Sequence, residues 1–291
     1  MAERFSRDNM RLGGILTAMV TPFDANGGLD EDAAVRLIHH LLENGSDGLV
    51  LAGSTGEAAT MTDEEKVRLW QLGVAESGDA PIIAGTGTYD TRHSVEMTER
   101  AHEAGVDAML VVTPYYVRPN RRGIKAHYEA VAAATDRPIV AYNIPSRTAT
   151  DMPNDLLAEL AQIDNVAAVK QARYEDLAPI DGMDLLAGND DVLADVMDMG
   201  GTGGICVASN LVGMEMRRII DEPDNRHEIE DGLRDLYKAL TVTVNPIPVK
   251  TAVSMIGHQV GPLRLPLVEA CEEERVVIRE ALERHNLLAT V

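Results

Sequence analysis

Short apolar segments recur at nearly regular intervals along most of the chain. They are continuously apolar rather than alternating with polar residues, which is typical of strands buried on both faces of a parallel sheet. We predict eight such strands, at 14–20, 48–53, 81–87, 108–114, 138–143, 166–172, 184–189 and 203–209. This pattern favours an α/β fold.

Amphipathic segments with helix start and stop signals lie between these strands. Three of them begin with acidic or capping residues and end at Gly45, Gly78 and Gly105, where the left-handed cap conformation costs little. A strand followed by a helix, repeated eight times, predicts a (β/α)8 TIM barrel. A doubly wound open sheet is the alternative.

Beyond about residue 224 the strand segments stop and only helical patterns follow. We therefore expect two domains. Residues 1–224 form the barrel that carries the active site, and residues 225–291 form a C-terminal helical domain.

The chain is acidic, with 47 Asp and Glu against 26 Lys and Arg and a net charge of -21. This charge repels nucleic-acid phosphates and anionic lipid, so we expect neither as a partner. The first dozen residues contain no long apolar stretch, so we expect no signal peptide. No later segment reaches the roughly 18 uninterrupted apolar residues that a membrane-spanning helix needs. Cys206 and Cys271 have neither metal-ligand spacing nor a disulfide framework, which suits a cytoplasmic protein.

Polar residues collect where the predicted strands end. In a barrel the C-terminal ends of the strands meet on one face and carry the chemistry. The segments at these ends are GSTGEA after the second strand, TPYYVRP after the fourth, YNIPSRT at the fifth, Lys170 at the sixth and GND after the seventh. We expect their side chains to converge on one rim.

Lys170 lies near the end of the sixth strand, in VAAVKQA. Side chains along a strand alternate between the two faces of the sheet, so Val166, Ala168 and Lys170 share one face. We expect this face to point inward. Burial there disfavours the ammonium form and supplies a neutral amine that can attack a carbonyl and form a Schiff base. Alternatively, Lys170 reaches solvent or pairs with a carboxylate such as Glu57.

Two further strand-end residues suit a keto acid reaction. Tyr142 shares a face with Val140, one strand from Lys170, and could transfer protons, although a core tyrosine bonded to a backbone carbonyl would give the same pattern. Arg147 can hold a carboxylate through two parallel hydrogen bonds, or it forms a surface ion pair.

Two glycine-containing segments could bind anions. Ser54, Thr55 and Gly56 offer hydroxyl and backbone N–H groups to a carboxylate, although the same residues could simply form a turn. GGTGG at 200–204 could hold a phosphate, but we favour a tight turn that leads into a strand.

Taken together, these motifs resemble the dihydrodipicolinate synthase and N-acetylneuraminate lyase family of class I aldolases, from about Gly13 to the C-terminus. The matching motifs are TAMVTPF, GSTGEA, AGTGTYDT, VVTPYYVRP, YNIPSRT, AVKQA, AGND, NPIPVK and GPLRLPL. The resemblance implies a (β/α)8 barrel with a C-terminal helical domain, assembled as a homotetramer that is a dimer of dimers. In class I aldolases, an iminium formed between a protein lysine and the substrate accepts the electrons of the reaction. We therefore expect no metal and no organic cofactor.

The resemblance also assigns roles around the lysine. Lys170 would form a Schiff base with pyruvate, and Tyr142 would relay protons. Ser54 stands where synthases mostly carry threonine. Thr55, with Gly56 beside it, would bind the pyruvate carboxylate through its backbone amide.

Four more residues receive roles by the same resemblance. Tyr116 would reach into the neighbouring subunit's site and complete a Tyr-Ser-Tyr relay. Arg147 would hold the carboxylate of aspartate semialdehyde. Gly188 and Ile205 would contact the bound pyruvate through their backbones.

The family contains several chemistries, so its shared fold does not decide the second substrate. GSTGEA and Gln171 resemble the lyase branch, whereas SRT and NPIPVK resemble the synthase branch. Because Arg147 would touch the second substrate directly, we favour condensation of pyruvate with aspartate semialdehyde. Neuraminate lyase or another pyruvate aldolase, a phosphate-binding barrel and a non-enzymatic keto-acid-binding barrel are the alternatives.

The resemblance extends to regulation. Lysine-inhibited synthases bind lysine at a dimer interface through particular polar side chains. Asp63, Lys66, Tyr89 and His93 stand at the matching places here and differ from those side chains. We therefore expect weak or absent inhibition by lysine.

Overall fold

The computed structural model describes residues 12–288, in which eight parallel strands close a barrel in chain order. The strands are β1 Gly14–Ala18, β2 Gly48–Leu51, β3 Ile82–Gly85, β4 Ala108–Val112, β5 Ile139–Asn143, β6 Val166–Gln171, β7 Asp184–Ala187 and β8 Gly203–Cys206. Closure of β8 onto β1 confirms the predicted barrel and excludes the open doubly wound sheet.

Eleven α-helices occur within residues 12–288. They are α1 Glu31–Glu43, α2 Asp63–Glu76, α3 Thr91–Ala104, α4 Arg121–Ala132, α5 Pro145–Thr148, α6 Asn154–Leu160, α7 Leu193–Asp198, α8 Ser209–Asp221, α9 Arg226–Ala239, α10 Ile247–Met255 and α11 Glu272–Arg284. None of these combines the length and apolar character that crossing a bilayer requires.

The alternation of strand and helix is complete except between β6 and β7. Residues 172–183 contain no α-helix, so the prediction of eight repeats is wrong at this one connection. The connection is short, and Pro179 and Gly182 interrupt it, so a helix of useful length cannot form there.

The predicted helix signals are confirmed at the first three helices. Asp30, Thr62 and Asp90 cap α1, α2 and α3 by accepting backbone N–H hydrogen bonds in the first turn. Most strands end earlier than the sequence predicts. After β2, for example, Ala52 has a φ of 52°, so the chain leaves the sheet there to form a loop at the rim.

A bulge in β6 sets the direction in which Lys170 points. Ile139 pairs with Val166, but the next residue of β5, Val140, pairs with Ala168, so Ala167 is an extra residue. Val166 therefore packs in the outer core, against our prediction, while Ala168 packs inside the barrel. Without this shift, the inner and outer faces of the strand end would be exchanged.

Two layers of apolar side chains hold the barrel together. The outer layer fills the space between strands and helices and includes the fully buried Trp70. The inner layer includes Leu16, Val50, Ile83, Leu110, Val140, Ala168, Leu186 and Ile205. Lys170 lies on the same inner face, at the C-terminal end of its strand.

The glycine-rich segment 200–204 leads into β8 at its N-terminal end, so the predicted turn is confirmed. A Cβ at Gly203 would lie 2.1 Å from the carbonyl oxygen of Gly14, so a residue with a side chain cannot replace this glycine without a clash. The segment lies at the end of the barrel remote from the Lys170 rim, which separates it from the strand-end residues.

Helices α9, α10 and α11 follow the barrel and pack against it. Leu236 of α9, Val249 of α10 and Ile278 of α11 belong to the same buried core as the outer faces of the strands. The domain boundary between residues 224 and 225 stays a prediction, since one continuous core spans it.

Candidate active site

Lys170 is a buried amine at the end of β6. The residue is 5% exposed. In the register of the sheet it stands opposite Tyr142 on β5 and Leu186 on β7. Its Nζ lies 4.4 Å from the centre of the Tyr142 ring. Within residues 12–288, no carboxylate forms an ion pair with this nitrogen. The structure therefore places Lys170 and Tyr142 together, as the sequence predicts.

A cavity of about 380 Å³ opens beside Lys170. Segments after β2, β5 and β7 supply its walls, with Ser54, Thr55, Arg147 and Gly188 among the lining residues. A neighbouring cavity of about 550 Å³ shares Ser54 and Arg147 with it. The predicted convergence of strand-end residues on one rim is thus present in the fold.

The loop after β2 offers backbone N–H groups to an anion. Within the described residues, the backbone N–H groups of Thr55 and Gly56 donate no hydrogen bond. Neighbours hold this loop in place, because Asn245 donates a hydrogen bond to Thr55 Oγ1 at 3.1 Å and Thr21 donates one to the carbonyl of Gly56 at 2.7 Å. Unused, fixed N–H groups of this kind form an anion site.

Glu57 is bound to Lys250 and not to Lys170, so the alternative pairing is wrong. Lys250 Nζ donates to Glu57 Oε1 at 2.6 Å and to the Pro262 carbonyl at 2.9 Å, and both charged side chains are almost completely buried. Burial lowers the pKa of Lys250, although the hydrogen bond and charge of Glu57 oppose this effect.

The ion pair also stabilises a strained stretch of backbone. Glu57 has a φ of 57°, a left-handed conformation that is unusual for a residue with a side chain. Its second oxygen accepts the backbone N–H of Arg264 at 3.0 Å, and Lys250 lies 4.2 Å from the centre of the Phe23 ring. The loop that carries Thr55 and Gly56 is therefore tied to the C-terminal region.

Arg147 lies on α5 and lines both cavities. Its Nη2 donates to the carbonyl of Asn245 at 3.0 Å. Asn245 thus connects the arginine to Thr55, a role that sequence reasoning missed even though NPIPVK begins with this residue. The other guanidinium N–H groups have no acceptor within the described residues.

Tyr116 does not approach Lys170 within one chain. It is 89% exposed with a φ of 68°, and it lines neither cavity, whereas Tyr115 lines the larger one. Its predicted role in a neighbouring subunit stays a prediction.

Gly188 and Ile205 lie at the ends of neighbouring strands. Gly188 N–H donates to the Gln171 carbonyl at 2.8 Å, and a Cβ at Gly188 would lie 2.6 Å from that oxygen. Only glycine fits there. Ile205 is fully buried in the inner layer and has no side-chain surface in the cavity.

Asp190, the aspartate of the GND motif, is half-buried, and the sequence pattern predicts no role for it. It accepts the backbone N–H groups of Val207 and Ala208 at 2.8 and 3.0 Å. Burial raises its pKa although these hydrogen bonds and the nearby charge of Lys170 oppose the change. Asp190 fixes the turn after β8, and residues 12–288 contain no cluster of His, Cys, Asp or Glu suited to a metal ion.

Comparison with known proteins finds close relatives over almost the whole chain. The model of the dihydrodipicolinate synthetase family matches residues 11–285. A 4-hydroxy-tetrahydrodipicolinate synthase from Moorella thermoacetica is 44% identical over 293 residues, covering 96% of this chain and 100% of the relative.

Two solved structures show the same fold. Dihydrodipicolinate synthase from Cyanidioschyzon merolae with lysine bound is 36% identical, with a TM-score of 0.91 and coverage of 95% of this chain and 99% of that chain. The chloride-inhibited enzyme from Acinetobacter baumannii, complexed with pyruvate, is 32% identical, with a TM-score of 0.92 and coverage of 96% and 100%.

Breaking the buried ion pair should unfold the protein more easily. We expect Lys250→Met to lower the free energy of unfolding by about 3–5 kcal/mol, because the buried Glu57 carboxylate loses its only cationic hydrogen-bond partner within residues 12–288 and keeps just the backbone N–H of Arg264. Denaturant titration measures this change. The exposed Arg68–Glu31 pair is the control, and Glu31→Gln should cost less than about 1 kcal/mol. Equal, small losses in both variants would contradict a stabilising role for the buried pair.

Proposed function

Because the chain belongs to the dihydrodipicolinate synthetase family, we propose that it is a class I aldolase that condenses pyruvate with L-aspartate 4-semialdehyde. The product is 4-hydroxy-tetrahydrodipicolinate, in the biosynthesis of diaminopimelate and lysine. The observation that carries the proposal is the buried amine of Lys170, which faces a cavity and has no carboxylate partner within the described residues.

The reaction begins when the side-chain amine of Lys170 attacks the ketone of pyruvate, and loss of water gives an iminium. Loss of a proton from the pyruvate methyl group converts this iminium to an enamine. The enamine carbon then adds to the aldehyde of the semialdehyde. Finally, the substrate's own amine attacks the iminium carbon, releases Lys170 and closes the ring.

Tyr142 is the proton-transfer group of this proposal. Its burial beside Lys170 and the absence of a protein partner for its hydroxyl within residues 12–288 support the role. Ser54 at the cavity wall and Tyr116 would extend the relay. The exposure of Tyr116 supports a role across a subunit boundary, so we propose a homotetramer in which a neighbouring subunit completes each site.

The remaining residues bind the two substrates. Thr55 and Gly56 would receive the pyruvate carboxylate on their unused N–H groups, with backbone contacts from Gly188 and Ile205. Arg147 would hold the carboxylate of the semialdehyde through its free N–H groups. These substrates are small molecules, and we propose that the reaction takes place in the cytoplasm.

Steady-state assays with pyruvate and two acceptors test the proposal. We expect kcat/KM to be about 100-fold or more greater for aspartate semialdehyde than for N-acetylmannosamine, since Arg147 recognises a carboxylate that the sugar lacks. Lys170→Arg should abolish turnover, whereas Lys125→Arg, outside both cavities, should retain it. A preference for the sugar would instead indicate a neuraminate lyase.

Lysine should inhibit weakly or not at all. Asp63, Lys66, Tyr89 and His93 line the larger cavity, and Asp63 accepts hydrogen bonds from His93 at 2.8 Å and from Lys66 at 3.3 Å. Asp63, Lys66 and His93 are therefore already engaged with one another. We expect millimolar lysine to leave the initial rate above half its value, and a loss of more than half would refute this prediction.

A further inference from the structure

Asn245 lies between two substrate-binding elements of the site and takes no part in the proposed reaction. It lines both cavities and immediately precedes Pro246, the cap of helix α10. Its Nδ2 donates to Thr55 Oγ1 at 3.1 Å, and its backbone carbonyl accepts from Arg147 Nη2 at 3.0 Å. Its Oδ1 has no partner within residues 12–288. The side chain of Asn245 therefore acts on Thr55, and the main chain acts on Arg147.

The position of Asn245 relative to the loop after β2 is fixed at a second point. Lys250, on helix α10, donates to Glu57 at 2.6 Å, and Glu57 lies in the same loop as Thr55. Two hydrogen bonds, one of them within a buried ion pair, thus join this loop to the segment 245–250. Paired attachments of this kind hold a side chain in one orientation, so the amide N–H of Asn245 stays directed at Thr55.

The direction of this hydrogen bond leaves the Thr55 hydroxyl proton unused. A threonine hydroxyl accepts through its lone pairs and donates one proton, whereas an amide NH2 group only donates. Asn245 therefore occupies a lone pair of Thr55 Oγ1. Within the described residues this hydroxyl donates to no acceptor, and Thr55 lines the cavity beside Lys170. A carboxylate only accepts hydrogen bonds, so it matches the hydroxyl proton and the backbone N–H of Thr55.

We propose that Asn245 is a positioning residue for pyruvate, because its amide holds the side chain of Thr55 so that the Thr55 hydroxyl donates to the pyruvate carboxylate. This inference rests on the proposed function and deepens it, since it assigns part of pyruvate recognition to a residue that follows helix α9, outside the strands of the barrel. The hydrogen bond to Arg147 comes from the main chain, so it survives substitution of the Asn245 side chain.

Reductive trapping with pyruvate and cyanoborohydride measures the pyruvate half of the reaction without an acceptor. In Asn245→Ala we expect the pyruvate concentration that gives half-maximal labelling of Lys170 to rise about threefold to tenfold, since one hydrogen bond is weakened. The kcat/KM for pyruvate should fall by the same factor. The kcat/KM for aspartate semialdehyde should change by less than about twofold, because the contact with Arg147 is kept.

A double-mutant cycle with Thr55→Val separates positioning from direct binding. Valine has the shape of threonine and keeps the backbone N–H but lacks the hydroxyl. In the Thr55→Val background, Asn245→Ala should change the half-maximal pyruvate concentration by less than about twofold, because the group that Asn245 positions is absent. Losses that multiply independently in the double variant would overturn the proposal.

Asn165→Ala is the matched control. Asn165 precedes β6 at the end remote from Lys170, and its Nδ2 donates to the carbonyls of Ala132, Thr135 and Arg137. This variant should have a lower thermal midpoint and unchanged labelling by pyruvate. Asn245→Ala should change the midpoint by less than about 4 °C, since it removes one hydrogen bond together with a buried oxygen that has no partner. A larger fall with equal losses for both substrates would overturn the proposal by indicating a structural role.

Wild-type measurements separate this inference from the proposed function. A wild type that pyruvate labels but that does not use aspartate semialdehyde would contradict the proposed acceptor alone, and the trapping comparison then tests Asn245 unchanged. Equal half-maximal pyruvate concentrations in wild type and Asn245→Ala would overturn the inference alone. A wild type that pyruvate does not label would contradict the Schiff-base reaction and the inference with it.

Discussion

The buried ion pair between Glu57 and Lys250 decides how charge is distributed at the active end of the barrel. Its 2.6 Å hydrogen bond occupies the carboxylate that follows Gly56, so that group is not available to Lys170. The pair also joins helix α10 to the loop after β2 and holds Glu57 in a left-handed conformation. Lys250 is thereby committed to a structural ion pair, whereas Lys170 has no carboxylate partner within residues 12–288, although both lysines are buried.

The bulge in β6 is the second feature needed to place Lys170 beside the cavity. The extra residue at Ala167 brings Lys170 opposite Tyr142 on the inner face, where alanine neighbours leave room for a ligand. A regular strand starting from the Ile139–Val166 pair would direct Lys170 into the outer core instead. The bulge and the ion pair together explain why the nitrogen faces a cavity and lacks a carboxylate within residues 12–288.

Local patterns predicted most of the fold and the proximity of Lys170 to Tyr142. Continuous apolar segments identified all eight strands, and capping residues such as Thr62 identified helix starts, because these signals act over a few residues. The Glu57–Lys250 pair joins residues 193 positions apart, and no local pattern reports such a contact. The bulge at Ala167 and the hydrogen bond from Asn245 to Thr55 depend likewise on tertiary packing, which a single sequence does not display.

Reductive trapping tests the central claim, that Lys170 rather than another buried lysine is the nucleophile. The enzyme is incubated with pyruvate and borohydride, digested, and mapped by mass spectrometry. The account predicts one pyruvate-derived adduct on the peptide that contains Lys170, and none on Lys250 or Lys66, which are also buried. An adduct on Lys250, or no adduct at all, would contradict it.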